Sequence, residues 1–161
     1  MNAKEHLKGV PGILRPFKEY LDNAGLPEGA QIVYYGCPGT CTPFIELLTF
    51  AVRKLPLKHV FVPFLDEEKA REITPAPGIG MQISDQAGTL EPQVVVIMGG
   101  LAMPNIEVSA EETAAILANY PQARPVGVCF MSMFEKAGWT DRITFDLLID
   151  ATIDPVTIYQ G

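Results

Sequence analysis

Residues 93–98 read Gln-Val-Val-Val-Ile-Met, and Gly99-Gly100 follow at once. Val94 to Ile97 are all β-branched, with no polar residue alternating between them. Such a run suits a strand covered on both faces, the central position of a mostly parallel sheet. A strand of that kind requires right-handed crossovers, usually through helices, on either side of it. The rest of the chain must therefore supply strand–helix alternation.

It does so over most of its length. Ile13, Phe17, Tyr20, Leu21 and Ala24 fall on one face of a helix over 13–24, with Pro16 in its first turn and Gly25 at its end. Residues 31–35 form a first strand, halted by Gly36-Cys37-Pro38-Gly39-Thr40-Cys41. Thr42-Pro43 opens a helix to about residue 55, Thr42 offering a capping hydroxyl. Glu46, Thr49 and Arg53 make its narrow polar stripe, and the remainder is apolar enough to lie against the sheet. A second strand spans 59–64, and Asp66-Glu67-Glu68 begins a short charged helix.

Residues 74–93 are broken by Pro75, Pro77, Gly78, Gly80, Gly88 and Pro92. They read as an irregular lid or binding loop holding at most a brief strand at 81–83. Ser109 and Glu112 form a capping box that opens a helix to about Tyr120. A fourth strand follows over 125–130, then a short helix ending near Gly138. Over 142–150, Ile143, Phe145, Leu147 and Ile149 alternate with mainly polar residues, the pattern of a half-buried strand, although a helix over 141–149 is an alternative. Asp154-Pro155 turns the chain toward a last strand, Val156 to Tyr159. The expectation is one α/β domain over 1–161, with helix 13–24 packed on it. It is a three-layer sandwich around a mostly parallel, doubly wound sheet of flavodoxin- or Rossmann-like type, with an antiparallel C-terminal edge.

Composition narrows the partners. The formal net charge of −7 repels a phosphate backbone, so no nucleic-acid partner is expected. No apolar run approaches the roughly 18 residues of a membrane span, and the opening Met1-Asn2-Ala3-Lys4-Glu5-His6 starts no secretory h-region. Three cysteines are an odd number, and a chain with 48% hydrophobic residues needs no staple to hold its core. They read as reduced thiols in a cytoplasmic protein. A homo-oligomer is compatible with all of this.

Ligands of such sheets sit beyond the carboxyl ends of the strands, near the point where strand order reverses. Three loops fall there, 36–42, 99–108 and 130–133. Gly36, Gly39, Thr40 and Thr42 resemble a phosphate loop in position, because glycines free backbone amides and a helix N-terminus attracts an anion. They match neither the Walker nor the Gly-x-Gly-x-x-Gly pattern. Gly99 and Gly100 let the backbone approach a ligand shared with that loop, so a small anionic molecule is the expected partner. Cys37 and Cys41 flank the loop, where a helix N-terminus favours the thiolate, and they are the candidate catalytic groups.

Cys37, Cys41 and Cys129 together would supply three ligands to a soft metal or cluster, although the spacing lacks paired Cys-x2-Cys motifs. As core residues they are equally ordinary, and Cys129 within Val-Gly-Val-Cys-Phe reads as buried. His6 and His59 are badly placed for a triad. Met98, Met103, Met131 and Met133 gather near the same edge and read as core filling. Asp146, Asp150 and Asp154 read as a solvated edge, and Trp139 as no stacking platform.

With Gly-Cys-Pro-Gly-Thr-Cys-Thr-Pro at 36–43, Met-Gly-Gly-Leu-Ala-Met-Pro at 98–104 and Val-Cys-Phe at 128–130, the chain resembles a family of uncharacterised archaeal proteins, found mostly in methanogens and carrying only a domain-of-unknown-function label. The resemblance runs over nearly the whole chain. It implies an archaeal cytosolic setting and a three-layer α/β fold, and it implies no activity, cofactor or catalytic residue. Three functional readings follow. One is a protein that binds an anionic or nucleotide-like small molecule, in one version an enzyme with a reactive cysteine. Another is a thiol-redox or soft-metal protein built on the three cysteines. The third is a non-catalytic interaction subunit.

Overall fold

The computed structural model describes residues 4–161, so residues 1–3 of the stretch read for a leader lie outside the described residues. In chain order the elements are α1 (Pro11–Asn23), β1 (Gln31–Gly36), α2 (Thr42–Ala51), β2 (Lys58–Pro63), β3 (Arg71–Ala76) and β4 (Gly80–Ala87). There follow β5 (Pro92–Met98), α3 (Ala110–Ala118), β6 (Arg124–Phe130), α4 (Met133–Lys136) and β7 (Leu147–Ala151). The strands form one sheet in the order β4-β3-β2-β1-β5-β6-β7. The five strands from β2 to β7 in that order pair in parallel. β3 and β4 add an antiparallel hairpin beside β2.

The β-branched run lands where its composition requires. β5 lies between β1 and β6, and Val94 to Ile97 are all fully buried. Side chains alternate across the sheet, which sets the two outer layers. On one face Tyr34 meets Phe17 of α1, their ring centroids 6.3 Å apart. Ile45 of α2 packs over Gly36 on the same side. On the other, the Tyr35 hydroxyl donates to Glu67 Oε1 at 2.7 Å, and Tyr120, just beyond α3, donates to the same oxygen at 3.0 Å. Each large side chain withdrawn from water in these layers contributes about 1.5–3 kcal/mol.

Several expectations differ from the structure. Residues 71–87 are a paired hairpin, not an irregular lid. The prolines are accommodated because the β2–β3 ladder ends at Ile73, so Pro75 has no third strand demanding its missing N–H. The antiparallel strands thus occupy the edge opposite the C-terminal one, and β7 pairs with β6 in parallel. Ile143 and Phe145 are buried in alternation as the period indicates, yet laddering begins only at Leu147. Val156–Tyr159 forms no strand.

The helices also shift. α1 begins at Pro11, a favoured first-turn proline, which leaves Pro16 inside the helix. Of the polar stripe, Glu46 and Thr49 turn inward, while Arg53 lies beyond the end of α2 and is exposed. Glu46 accepts from Gln82 Nε2 and from the Ile83 N–H of β4, both at 3.3 Å, and Thr49 is fully buried. Leu47 and Phe50 are the exposed residues instead. The capping box is formed, with the Glu112 N–H donating to Ser109 Oγ at 3.1 Å and the Ser109 N–H to Glu112 Oε2 at 2.8 Å.

Candidate functional site

Strand order reverses between β1 and β5: α2 carries the chain from β1 to β2, and α3 carries it from β5 the opposite way to β6. At their carboxyl ends the loop after β1 meets the turn after β5. Gly100 lies so close to the loop that a Cβ there would collide with Cys41 Sγ and sit 3.6 Å from Cys37 Sγ. Both sulfurs therefore converge on the Gly100 backbone. The Cys41 N–H donates to the Cys37 carbonyl at 2.9 Å, closing the turn that leads into α2.

Electrostatics there run opposite to the sequence expectation. Both thiols are buried. Burial pushes Cys37 up to about 12, with the neighbouring Cys41 adding to the rise. Cys41 is also raised by burial, but the backbone N–H groups of Cys37 and Gly100 and the Cys37 thiol pull the other way. The dipole of the first helical turn does favour a thiolate. Withdrawal from water is the larger effect.

The loop glycines and threonines are arranged differently from a phosphate cradle. Cys41, not Thr42, is the N-cap residue of α2. The Gly39 N–H, at a left-handed φ of 78°, donates to Thr42 Oγ1 at 3.2 Å. Thr40 is exposed, and Gly36 is packed against Cys41, Met98 and Ile45. The backbone N–H groups of Cys37 and Gly100 act on the Cys41 thiol by opposing the rise that burial imposes on it.

Cys129 occupies the neighbouring strand end. A Cβ on Gly99 would collide with its Cβ and lie 2.8 Å from its Cα, so the Gly99-Gly100 backbone separates this thiol from the other two. Cys129 Sγ donates to Asp150 Oδ1 at 3.5 Å. Burial pushes this thiol, too, up to about 12. The same carboxylate accepts from the Ser132 N–H at 3.0 Å and from Ser132 Oγ at 2.9 Å. Asp150 thus joins Cys129 and Ser132 while remaining exposed, in keeping with the solvated edge read from the sequence, and Asp146, also exposed, accepts from the Tyr20 hydroxyl at 3.3 Å. The signal was the Cys129–Asp150 register, which the sequence alone does not reveal. Among the described residues no cluster of three or more His, Cys, Asp or Glu has metal-holding geometry.

Phe64, Met131 and Ser132 are the described non-glycine residues with left-handed backbone, φ 54°, 57° and 58°. All three follow strand ends, β2 for the first and β6 for the others, on the edge that carries the cysteines. Two surface cavities lie elsewhere. One of about 600 Å³ opens between Ser109–Glu111 and Ala137–Arg142. Another of about 420 Å³ lies near the opposite end of the strands, with His59 and Lys58 in its wall. No residue of 36–42 or 99–104 lines either. Trp139 is a core residue stacked on Phe134 at 5.4 Å.

A family model described as an uncharacterised protein conserved in archaea, DUF2124, matches residues 8–154. An uncharacterised protein of Methanocaldococcus jannaschii is 33% identical over 151 residues, covering 94% of this chain and 89% of its own. Another, of Methanothermobacter thermautotrophicus, is 31% identical and covers 96% of each chain. The crystal structure of a protein of unknown function from Methanothermobacter thermautotrophicus superposes with a TM-score of 0.86 at 29% identity, covering 99% of both chains. No described helix is long and apolar enough to cross a membrane.

Proposed function

The chain belongs to the DUF2124 family of archaeal proteins, and from its geometry we propose that it binds a small molecule above β1 and β5, with Cys37 and Cys41 acting together as a dithiol. The observation that carries this reading is the convergence of both sulfurs on Gly100, with the amides of Cys37 and Gly100 favouring charge on Cys41. Gly36, Gly39, Thr40, Thr42, Gly99 and Gly100 form the surrounding wall. Of the donors a phosphate would use, the Gly39 N–H is taken by Thr42 Oγ1, and those of Cys37 and Gly100 favour charge on the Cys41 sulfur. The fitting substrate is therefore one that reacts with sulfur, a small disulfide, and not a simple oxyanion.

The step balances without a further reagent. Cys41, as thiolate, attacks one sulfur of the small disulfide, and a small thiolate leaves. Cys37 then attacks Cys41 in that mixed disulfide, and the second small thiolate departs. The two protein protons end on the two released thiols. Because both thiols are buried, the exposed Pro38-Gly39-Thr40 tip must swing away to admit the attacked sulfur.

The test is intact mass spectrometry after incubation with a small disulfide. Expected are a loss of two hydrogens, a Cys37–Cys41 linked peptide, and a stable adduct on Cys41 when Cys37→Ser removes the second thiol. A protein that keeps all three thiols free in its native state, or that forms its adduct on Cys129, overturns the reading.

A further inference from the structure

We propose that the chain forms a two-fold dimer in which Val156–Tyr159 of each copy pairs along the outer edge of β7 in the other. Three observations meet at this edge. β7 is the last strand of the sheet, and among the described residues nothing ladders with its outer side. The chain leaving it carries Val156, Thr157, Ile158 and Tyr159, which have strand-forming composition. In the structure these side chains are in water: Val156 is 74% exposed, Ile158 87% and Tyr159 91%. Scattered apolar exposure is ordinary, but a contiguous strand-like segment beside an unpaired edge is an association site on two counts.

The occupant is a second copy because the free edge and the free segment belong to one polypeptide, in sequence order. Ala151 ends β7, and the unpaired segment begins after four intervening residues, at Val156. An antiparallel two-fold relation is self-complementary: whatever one copy's tail does to the partner's β7, the partner's tail does in return. One operation consumes both edges and both tails, and it closes without leaving a chain of molecules.

Laying 156–159 of one copy against 147–150 of the other sets the axis near Ile153. Ile158 then faces Leu148 across the ladder and Tyr159 faces Leu147, both of these leucines being half-buried in the single chain. Directly opposed side chains of an antiparallel pair share a face, so these apolar pairs cover one another. Pro155 falls opposite Ala151, at the end of the strand, where one missing N–H is tolerated. The Asp150 carboxylate stays engaged with Ser132 and Cys129 within its own chain, so the pairing leaves those bonds untouched. The inference is independent of the dithiol reading.

The experiment is light scattering on the full chain over about 1 µM to about 1 mM, the range in which modest specific association is populated. A dimer is expected. Ending the chain at Ala151, or changing Ile158→Asp, is expected to give a monomer whose circular dichroism matches that of the parent chain, because neither touches the core. Hydrogen exchange supplies the second readout: slowed amides at 156–159 that become fast on dilution. A full chain that stays monomeric throughout overturns the proposal. So does a dimer that persists in both variants. Tail amides protected equally at all concentrations also overturn it, since they would show the segment folded back on its own β7.

Discussion

The hydroxyl of Tyr34 lies 3.1 Å from Nδ1 of His59, in the interior of the sheet face that α1 covers. Both residues are buried, and burial alone drives His59 down from 6.5 to about 4. The imidazole is therefore neutral in the folded chain at any ordinary pH.

A pH dependence of stability follows. In the unfolded chain His59 gains its proton as pH falls through 6.5, while the folded chain refuses it until about 4. Between those values the unfolded state binds more protons, so stability decreases as pH falls. The full effect is up to about 3 kcal/mol, since each tenfold difference in proton affinity between the two states is worth about 1.4 kcal/mol. Urea midpoints measured across this window should decline, and His59→Gln should flatten the contribution. An unchanged slope in that variant would place the acid sensitivity elsewhere.

Gly100 and Gly99 face different cysteines and should respond differently to the same change. Gly100→Ala drives a methyl into Cys41 Sγ, an overpacking cost of about 1–3 kcal/mol. Removing that sulfur with Cys41→Ala should return most of the loss, because the colliding atom is gone. Gly99→Ala strikes Cys129 at both Cβ and Cα. Truncation to Cys129→Ala leaves those atoms in place, so no rescue is expected. Two double-mutant cycles by chemical denaturation check the contrast; equal coupling in both would contradict the packing described.

What was legible in the chain depended on how local the cause was. The capping box could be read because Ser109 and Glu112 act three residues apart. The central position of β5 could be read because burial on both faces writes itself into consecutive residues, Val94 to Ile97. The hairpin at 71–87 was hidden by its prolines, whose harmlessness depends on where the ladder from β2 stops. The inward turn of Glu46 was hidden because its partner, Ile83, sits on a strand whose existence was itself in question. Asp150 and Ser132 come together only through the parallel register of β6 and β7. For Cys37 and Cys41 the location could be inferred, but not the direction in which their titration moves. That direction is a contest between helix dipole and burial, and only the structure supplies the burial.

The capping box offers a calibration of local against tertiary stability. Ser109→Ala removes the acceptor for the Glu112 N–H and frees the Glu112 carboxylate, at a cost of about 1 kcal/mol. Ser109→Asp should retain most of the stability, since its carboxylate can accept the same amide. Denaturant midpoints of the two variants should separate accordingly, with Ser109→Asp close to the parent chain. If both fall equally, the hydroxyl contributes through something other than the cap.

Thiol titration gives the sharpest check on the candidate site. Only the thiolate alkylates, so the rate at a given pH follows the ionised fraction. An ordinary cysteine, with a pKa of about 8.5, approaches a plateau as pH rises past that value. Cys37, pushed up to about 12 by burial, should instead gain about tenfold per pH unit from 7 to 10 without levelling. Cys129 should follow the same course for the same reason. Cys41 should react ahead of both, because the amides of Cys37 and Gly100 oppose the burial there. The measurement is peptide-resolved iodoacetamide labelling in the native state, with circular dichroism confirming that the fold persists at each pH. Replacing Cys37 with Ser should change the Cys41 rate only modestly, since two backbone donors remain. A plateau for Cys37 below pH 9, or Cys129 labelling first, would show that the burial described for these thiols does not govern their chemistry.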